Sequence, residues 1–344
     1  MPKCFSVIRL LDKLFSTVFT HSGLRHAATD LGDGTMMHCW VPTRPVPSKP
    51  NLVLLHGFGA NTKWQWSKTI CKLVPHFNVY VPDLVFFGRS TTTRPDRTDA
   101  FQAECVMRVL EAHHVKKVSA AVGLSYGGYV AYSMAATYGP EVVERVVICC
   151  CGVVVEEKDL REGVFVVGEV DLAAEVLTPQ TPEKMMEMLG YVAYKKPSSV
   201  PTCLLNDFID VFCREYVDER RELLQAILKD RKISELPKIK QPTLILWGDE
   251  DKVFPIELAH RLKRHLGDTA QLTIIEKAGH LFSSERSDEF NKHLKAFLIG
   301  HPPAKSVGNT PLPVDGKVET NGAFAVSSET KTTVEESTET NTTV

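Results

Sequence analysis

KVSAAVGLSYGG, residues 117–128, is an apolar run that passes directly into G-x-S-x-G (Gly123, Ser125, Gly127) and then into a stretch of helical character starting near Gly128. A serine centred in that pattern, between a strand and a helix, sits on a tight turn that strains its backbone and lifts its hydroxyl above the strand end. The flanking glycines let neighbouring chains come close. The context predicts that Ser125 is a nucleophile and not an ordinary turn serine.

A serine hydroxyl needs a base to take its proton and a carboxylate to orient that base. Both are expected downstream. PTLILWG (242–248) reads as a strand that runs into GDEDKVFP (248–255), and QLTIIEKAG (271–279) reads as a strand that runs into His280. Asp251 and His280 then fall on loops at the ends of successive strands, in the chain order serine, acid, histidine. Asp249 and Glu250 share the acid's loop; the spacing G-x-x-D-x-x-x-P, closed by Pro255, favours Asp251 and leaves Asp249 to brace the turn. Upstream, NLVLLHG (51–57) leads into HGFG (56–59), a glycine-rich turn whose exposed N–H groups can face a developing oxyanion. The backbone N–H groups of Phe58 and Tyr126 are the expected donors, and His56 is expected to order the loop.

Between residues 51 and 301, short β-branched runs alternate with helical stretches, which predicts an α/β protein with a mostly parallel sheet covered on both faces. TDLGDGTMMHCWVP (29–42) adds an antiparallel hairpin at one sheet edge, turning at Asp33 and Gly34. VERVVICCCGVVV (143–155) reads as one long buried strand, its cysteines acting as small hydrophobes. From 156 to 236 the strand rhythm stops, and stretches such as EVLTPQTPEKMMEMLG (175–190) and VDERRELLQAILKD (217–230) are helical. The expected organisation is an amphipathic segment at 1–22, a core split into 23–155 and 237–300 by a helical cap at 156–236, and a disordered tail at 301–344. The cap carries Phe165, Val166, Val167, Leu177, Met185, Met186, Met188, Leu189, Phe208 and Phe212, which could enclose an apolar acyl or aromatic group. The methionines, with Trp64 and Trp66, are expected as packing residues and not as part of the site.

The chain has 344 residues, 43% of them hydrophobic, with 40 basic against 42 acidic side chains. That composition excludes a fibrous or wholly disordered protein, and the near-zero net charge offers no overall field for nucleic acid. Nine cysteines without a CxxC pair read as reduced thiols, which fits a cytoplasmic protein. No apolar run is long enough to span a bilayer. Near the start, Phe5, Ile8, Leu11, Phe15, Val18 and Phe19 recur at helical spacing opposite Lys3, Arg9 and Lys13, so this helix either packs on the domain or lies peripherally on a membrane. No phosphate loop, dinucleotide fingerprint or metal-type cluster is present, and no cofactor is implied; the expected partner is a small-molecule ester substrate. The terminal Thr-Thr-Val matches a peptide-capture motif too short to carry weight.

Together, HGFGANTKWQW, VYVPDLVFFGRS, GLSYGG, LWGDEDKVFP and AGH resemble the alpha/beta-hydrolase superfamily over roughly 32–300, and within it a group of plant lipase-like and esterase-like hydrolases similar to monoacylglycerol lipases. A wider similarity extends to hydrolases of ring-cleavage products. The resemblance implies an eight-stranded sheet, a cap over the pocket and an ester hydrolase working through an acyl-enzyme. The same superfamily also implies alternatives: a small-molecule receptor with slow turnover, or a triad serving carbon–carbon cleavage, lyase or acyl-transfer chemistry. An aspartate where Ser125 stands would have implied an epoxide hydrolase or dehalogenase. The chain departs from many relatives in one loop, where Val85 and Phe86 replace the Pro-Gly of D-x-P-G-x-G-x-S while Gly88 and Ser90 remain.

Overall fold

In the computed structural model, residues 6–156, 158–159, 170–228 and 231–300 are described. The expected tail (301–344) and the apolar residues 165–167 of the expected cap lie outside them. Helix α1 (Val7–His21) comes first and is followed by the predicted hairpin, β1 (Leu24–Asp30) and β2 (Thr35–Pro42), paired antiparallel from Leu24↔Pro42 to Asp30↔Met36. Then come β3 (Asn51–Leu55), α2 (Thr62–Trp66), α3 (Ile70–Leu73), β4 (Asn78–Pro82), the two-residue β5 (Thr91–Thr92), α4 (Asp99–Ala112), β6 (Ala120–Leu124), α5 (Tyr126–Val142) and β7 (Val146–Cys149). Helices α6 (Val170–Leu177), α7 (Pro182–Val192), α8 (Thr202–Phe212) and α9 (Val217–Leu228) lie between β7 and the next strand among the described residues. The chain closes with β8 (Thr243–Gly248), α10 (Ile256–Leu266), β9 (Ala270–Ile275), α11 (Phe282–Glu285) and α12 (Ser287–Ile299).

The sheet has nine strands among the described residues, one more than the eight expected: eight follow the order β1-β2-β4-β3-β6-β7-β8-β9, and the two-residue β5 pairs with β2. From β4 to β9 every neighbouring pair in that path is parallel, and only the hairpin end is antiparallel. The predicted fold class holds: this is the alpha/beta-hydrolase architecture, a mostly parallel sheet with helices on both faces. The central strands β4, β6, β7 and β8 are buried at every position, as β-branched and apolar runs covered on both faces must be. Two elements start with local chemistry visible in the sequence. Asn61 caps α2 by accepting from the N–H groups of Lys63 and Trp64, and Thr98 caps α4 by accepting from that of Phe101.

Two expectations need correction. Helix α5 begins at Tyr126, immediately after Ser125, and not near Gly128. The strand expected to run to residue 155 stops at Cys149, because Cys150 takes φ 43° and turns the chain out of the ladder.

The amphipathic segment is helix α1, and its apolar face is packed: Ile8 and Phe19 are buried. Two carboxylates hold it. Asp207 on α8 accepts from the N–H of Ile8 at 2.9 Å, next to the Ser6 hydroxyl that accepts from Arg9, so two orphan donors of the first turn are satisfied. Asp12 accepts from Asn61 Nδ2 (2.9 Å), Trp64 Nε1 (3.1 Å) and Lys63 Nζ (2.5 Å). Trp64 also makes edge contacts with Phe15 of α1 and with Phe208 and Phe212 of α8, joining three helices.

Candidate active site

Parallel strands deliver the loops that follow them to one edge of the sheet, and that edge is where ligands bind in open α/β sheets. Ser125 follows β6, Asp251 lies three residues past β8, and His280 five past β9. Ser125 adopts φ 52°, ψ −119°, the strained turn read from the sequence. The closeness that the turn demands can be measured: a Cβ on Gly123 would stand 2.0 Å from the carbonyl oxygen of Gly127, and one on Gly127 would stand 2.4 Å from that of Leu55. Only glycine fits at either position.

His280 Nδ1 lies 2.8 Å from Asp251 Oδ2, and both residues are buried. The other oxygen of Asp251 accepts from the N–H groups of Val253 (2.8 Å) and Phe254 (2.9 Å), so the carboxylate is held at both ends. A carboxylate so placed favours the tautomer with the proton on Nδ1 and leaves Nε2 free to accept one. Asp249 does not reach the histidine; its Oδ1 accepts from the N–H of Ala278, bracing the turn as expected. The thiol of Cys150 lies with the ligand atoms of Asp251 and His280 in one cluster, all within 4.8 Å of one another. Burial pushes that thiol far above its ordinary range, so it stands beside Asp251 as a neutral group and adds no second negative charge. The apolar context of the cysteine run gave no sign of this position.

Ser125 and His280 share a cavity of about 480 Å³, within the roughly 300–1,000 Å³ of small-molecule sites. Phe58 lines it as well, while Tyr126 opens helix α5, so its N–H has no acceptor within the helix. His56 does not enter the cavity lining. Its Nε2 accepts from the N–H of Leu84 (3.0 Å), which places the ring proton on Nδ1 to donate to the carbonyl of Gly57 (2.7 Å). Burial holds its pKa down to about 4, so it stays neutral and orders the loop.

The remaining lining is almost wholly apolar. Leu177, Met185, Met188, Leu189 and Phe208 line it from the helices between β7 and β8, whereas Met186 and Phe212 are not in the lining and pack against the same cluster of Met185, Leu205, Ile209 and Cys213. Two methionines expected only as packing therefore face the site, and so does Trp64; Trp66 is fully buried core, as expected. Sequence reasoning also missed Val7, Ile8 and Leu11 of α1. Their periodicity was visible, but periodicity does not say what a helix packs against.

The loop carrying Val85 and Phe86 bears on the site. Phe86 stands at φ 72°, a conformation costing a non-glycine residue roughly 1–2 kcal/mol. It is held there by its N–H donating to Ser90 O (2.9 Å) and by its carbonyl accepting from Arg220 Nε of α9 (2.8 Å). The Arg220 guanidinium lies 4.7 Å over the Phe87 ring, and Phe87 meets Phe58 edge-on at 4.9 Å. A buried arginine on α9 thus braces the glycine-rich turn bearing Phe58.

A family model described as "Alpha/beta hydrolase family" matches residues 52–293. The chain belongs to that family. As an alpha/beta hydrolase it is similar to monoacylglycerol lipase ABHD6 from Bos taurus, 29% identical over 265 residues covering 73% of this chain and 75% of the relative. It is 28% identical to Lipase 1 from Psychrobacter immobilis over 261 residues, covering 72% and 76%. Among solved structures, a membrane phospholipase A described as a bacterial virulence factor superposes with TM-score 0.68 at 27% identity, covering 85% of this chain and 91% of that one. The family and these relatives make it a hydrolase of the lipase and esterase type.

Proposed function

We propose that this hydrolase cleaves a carboxylic ester carrying an apolar acyl group, through a covalent acyl-enzyme on Ser125. The observation that carries the reading is the shared cavity: Ser125 and His280 face the same apolar space, and His280 Nδ1 is tied to a buried Asp251 at 2.8 Å. In the reaction, Ser125 Oγ attacks the ester carbonyl while His280 Nε2 takes the hydroxyl proton. The N–H groups of Phe58 and Tyr126 receive the oxyanion of the tetrahedral intermediate. His280 returns the proton to the leaving alcohol, and the acyl group stays on Ser125. A water then attacks with His280 again as base, releasing the acid and restoring the serine. Asp251 touches no reacting atom; it holds the imidazole and stabilises its charged form.

Acyl-glycerol-type esters suit the cavity, and the relatives named for lipase activity point the same way. The narrower likeness to plant lipase-like and esterase-like hydrolases rests on HGFGANTKWQW, VYVPDLVFFGRS, GLSYGG, LWGDEDKVFP and AGH. Eight free cysteines among the described residues suit a reducing compartment such as the cytosol. Among the described residues no helix is long and apolar enough to cross a membrane. The outward face of α1 exposes Leu10 and Leu14 beside Arg9 and Lys13, a surface suited to peripheral membrane contact. Flotation with anionic liposomes, comparing wild type with a variant carrying Asp at Leu10 and Leu14, tests that contact; equal flotation removes it.

The decisive experiment is labelling by a fluorophosphonate serine probe followed by hydrolysis of p-nitrophenyl esters. Labelling and turnover in wild type, both lost in Ser125→Ala, are expected. Folded wild-type protein that takes no label and turns over no ester would sink the hydrolase reading and favour a binding protein.

A further inference from the structure

We infer that helix α1 is a wall of the acyl site and, through Ile8 and Leu11, sets the length of acyl chain the enzyme accepts; this rests on the ester-hydrolase reading above and specifies its substrate. The cavity that holds Ser125 and His280 continues to Val7, Ile8 and Leu11, three apolar side chains on one face of α1. The wall beside them comes from α8, through Leu205 and Phe208. The reactive groups, the glycine-rich turn, Asn61, Gln65 and Ser284 give the cavity its polar part, and α1 contributes only hydrocarbon to it. An ester whose carbonyl sits at Ser125 therefore has somewhere to place an aliphatic chain, and α1 bounds that space.

The wall is anchored. The Asp207 carboxylate on α8 is buried and accepts from the Ile8 N–H at 2.9 Å, while Asp12, one residue past Leu11, takes three donors from α2. Trp64, itself lining the cavity, wedges between α1 and α8. A boundary fixed at two points by buried or half-buried carboxylates does not yield easily to a longer chain. Each methylene buried in the cavity contributes about 0.8 kcal/mol, or roughly a fourfold gain in kcat/KM, until the chain meets the wall. Beyond that length the gain stops and reverses.

The test is a series of p-nitrophenyl esters from acetate to palmitate, run on wild type, Leu11→Trp, Ile8→Ala and the outward-facing control Leu10→Trp, with fluorophosphonate labelling to show that each variant is folded. Leu11→Trp is expected to lose at least tenfold in kcat/KM on the longest esters that wild type accepts, while changing less than twofold on butyrate. Ile8→Ala should move the preferred length upward, and Leu10→Trp should leave the profile unchanged. Parallel profiles in all four labelled proteins would overturn the inference while leaving the hydrolase reading intact, because butyrate turnover reports that reading by itself. Should wild type hydrolyse no ester in the series, thermal shift by free fatty acids of the same lengths reads the wall without chemistry: length-dependent stabilisation altered by Leu11→Trp supports it, and stabilisation unaltered by that variant overturns it.

Discussion

The floor of the candidate site and its roof were built by different kinds of information. The floor is the sheet edge bearing Ser125, Asp251 and His280, where each residue sits within a few positions of a strand end and local sequence dictates its geometry. The roof is α1 with the helices between β7 and β8, where the same types of apolar residue serve as lining or as packing according to what stands opposite. Local motifs carry chemistry, whereas substrate shape comes from long-range packing. The contrast can be broken or sharpened by substitution, because floor variants should change the rate on every ester and roof variants should change which ester is preferred.

The largest effect belongs to Ser125, the proposed nucleophile. Ser125→Ala is expected to lower kcat on the order of 10⁵–10⁶-fold on all esters without altering the circular-dichroism spectrum. A small or chain-length-dependent loss would mean that Ser125 belongs to the binding surface only. Asp251→Asn keeps the shape but presents an amide to His280 Nδ1, favouring the wrong tautomer, and should cost about 10⁴ in kcat with KM nearly constant. A loss appearing chiefly in KM would remove Asp251 from its positioning role.

Arg220 lies where roof meets floor. Arg220→Met strips the carbonyls of Phe86 and Phe212 of their donor, with an expected loss of roughly 2–4 kcal/mol in stability by urea denaturation. The stability loss should come with a several-fold fall in kcat through the turn bearing Phe58, and a stability loss without any rate change would confine Arg220 to the fold. Asp207→Ala, purely in the roof, should cost about 1–3 kcal/mol by leaving the Ile8 N–H unsatisfied. It should also blur the chain-length preference while sparing butyrate, and a uniform rate loss would break the proposed division of labour.

The smallest effect is in the pH dependence of stability. Burial pushes Asp83 up to about 7 from 3.8, so the folded protein keeps a proton there that the unfolded chain has released, and stability falls as pH rises from about 4 to about 7. His56 acts in the opposite sense. Burial holds it down to about 4 from 6.5, so stability falls as pH drops through the same window. The two slopes offset each other in wild type. Asp83→Asn removes one of them, and urea denaturation between pH 4.5 and 7.5 should then show stability falling toward acid; an unchanged slope would mean that Asp83 ionises normally in the fold.

The parallel core was legible because a strand buried on both faces must be apolar throughout, and runs such as NLVLLHG and PTLILWG cannot be solvated. The turn at Ser125 was legible for a second local reason: a strained serine turn admits only glycine at 123 and 127. The early end of β7 was not, because apolar cysteines and valines continue past Cys149 and only the backbone conformation of Cys150 ends the ladder. The lining role of Trp64, Met185 and Met188 was not legible, because side-chain type does not distinguish a residue that packs from one that lines a cavity.

By itself, the sequence determined the fold class, the strand-end positions of Ser125, Asp251 and His280, and the amphipathic character of the first helix, since each depends on neighbours within a few residues along the chain. Tertiary structure alone decided which oxygen of Asp251 meets His280, that the Cys150 thiol lies within 4.8 Å of their ligand atoms, that Arg220 braces the turn at Phe58, and that α1 lines the cavity. Those contacts join residues as far apart as Ile8 and Asp207, 199 positions in the chain, and no local pattern encodes a pairing at that separation.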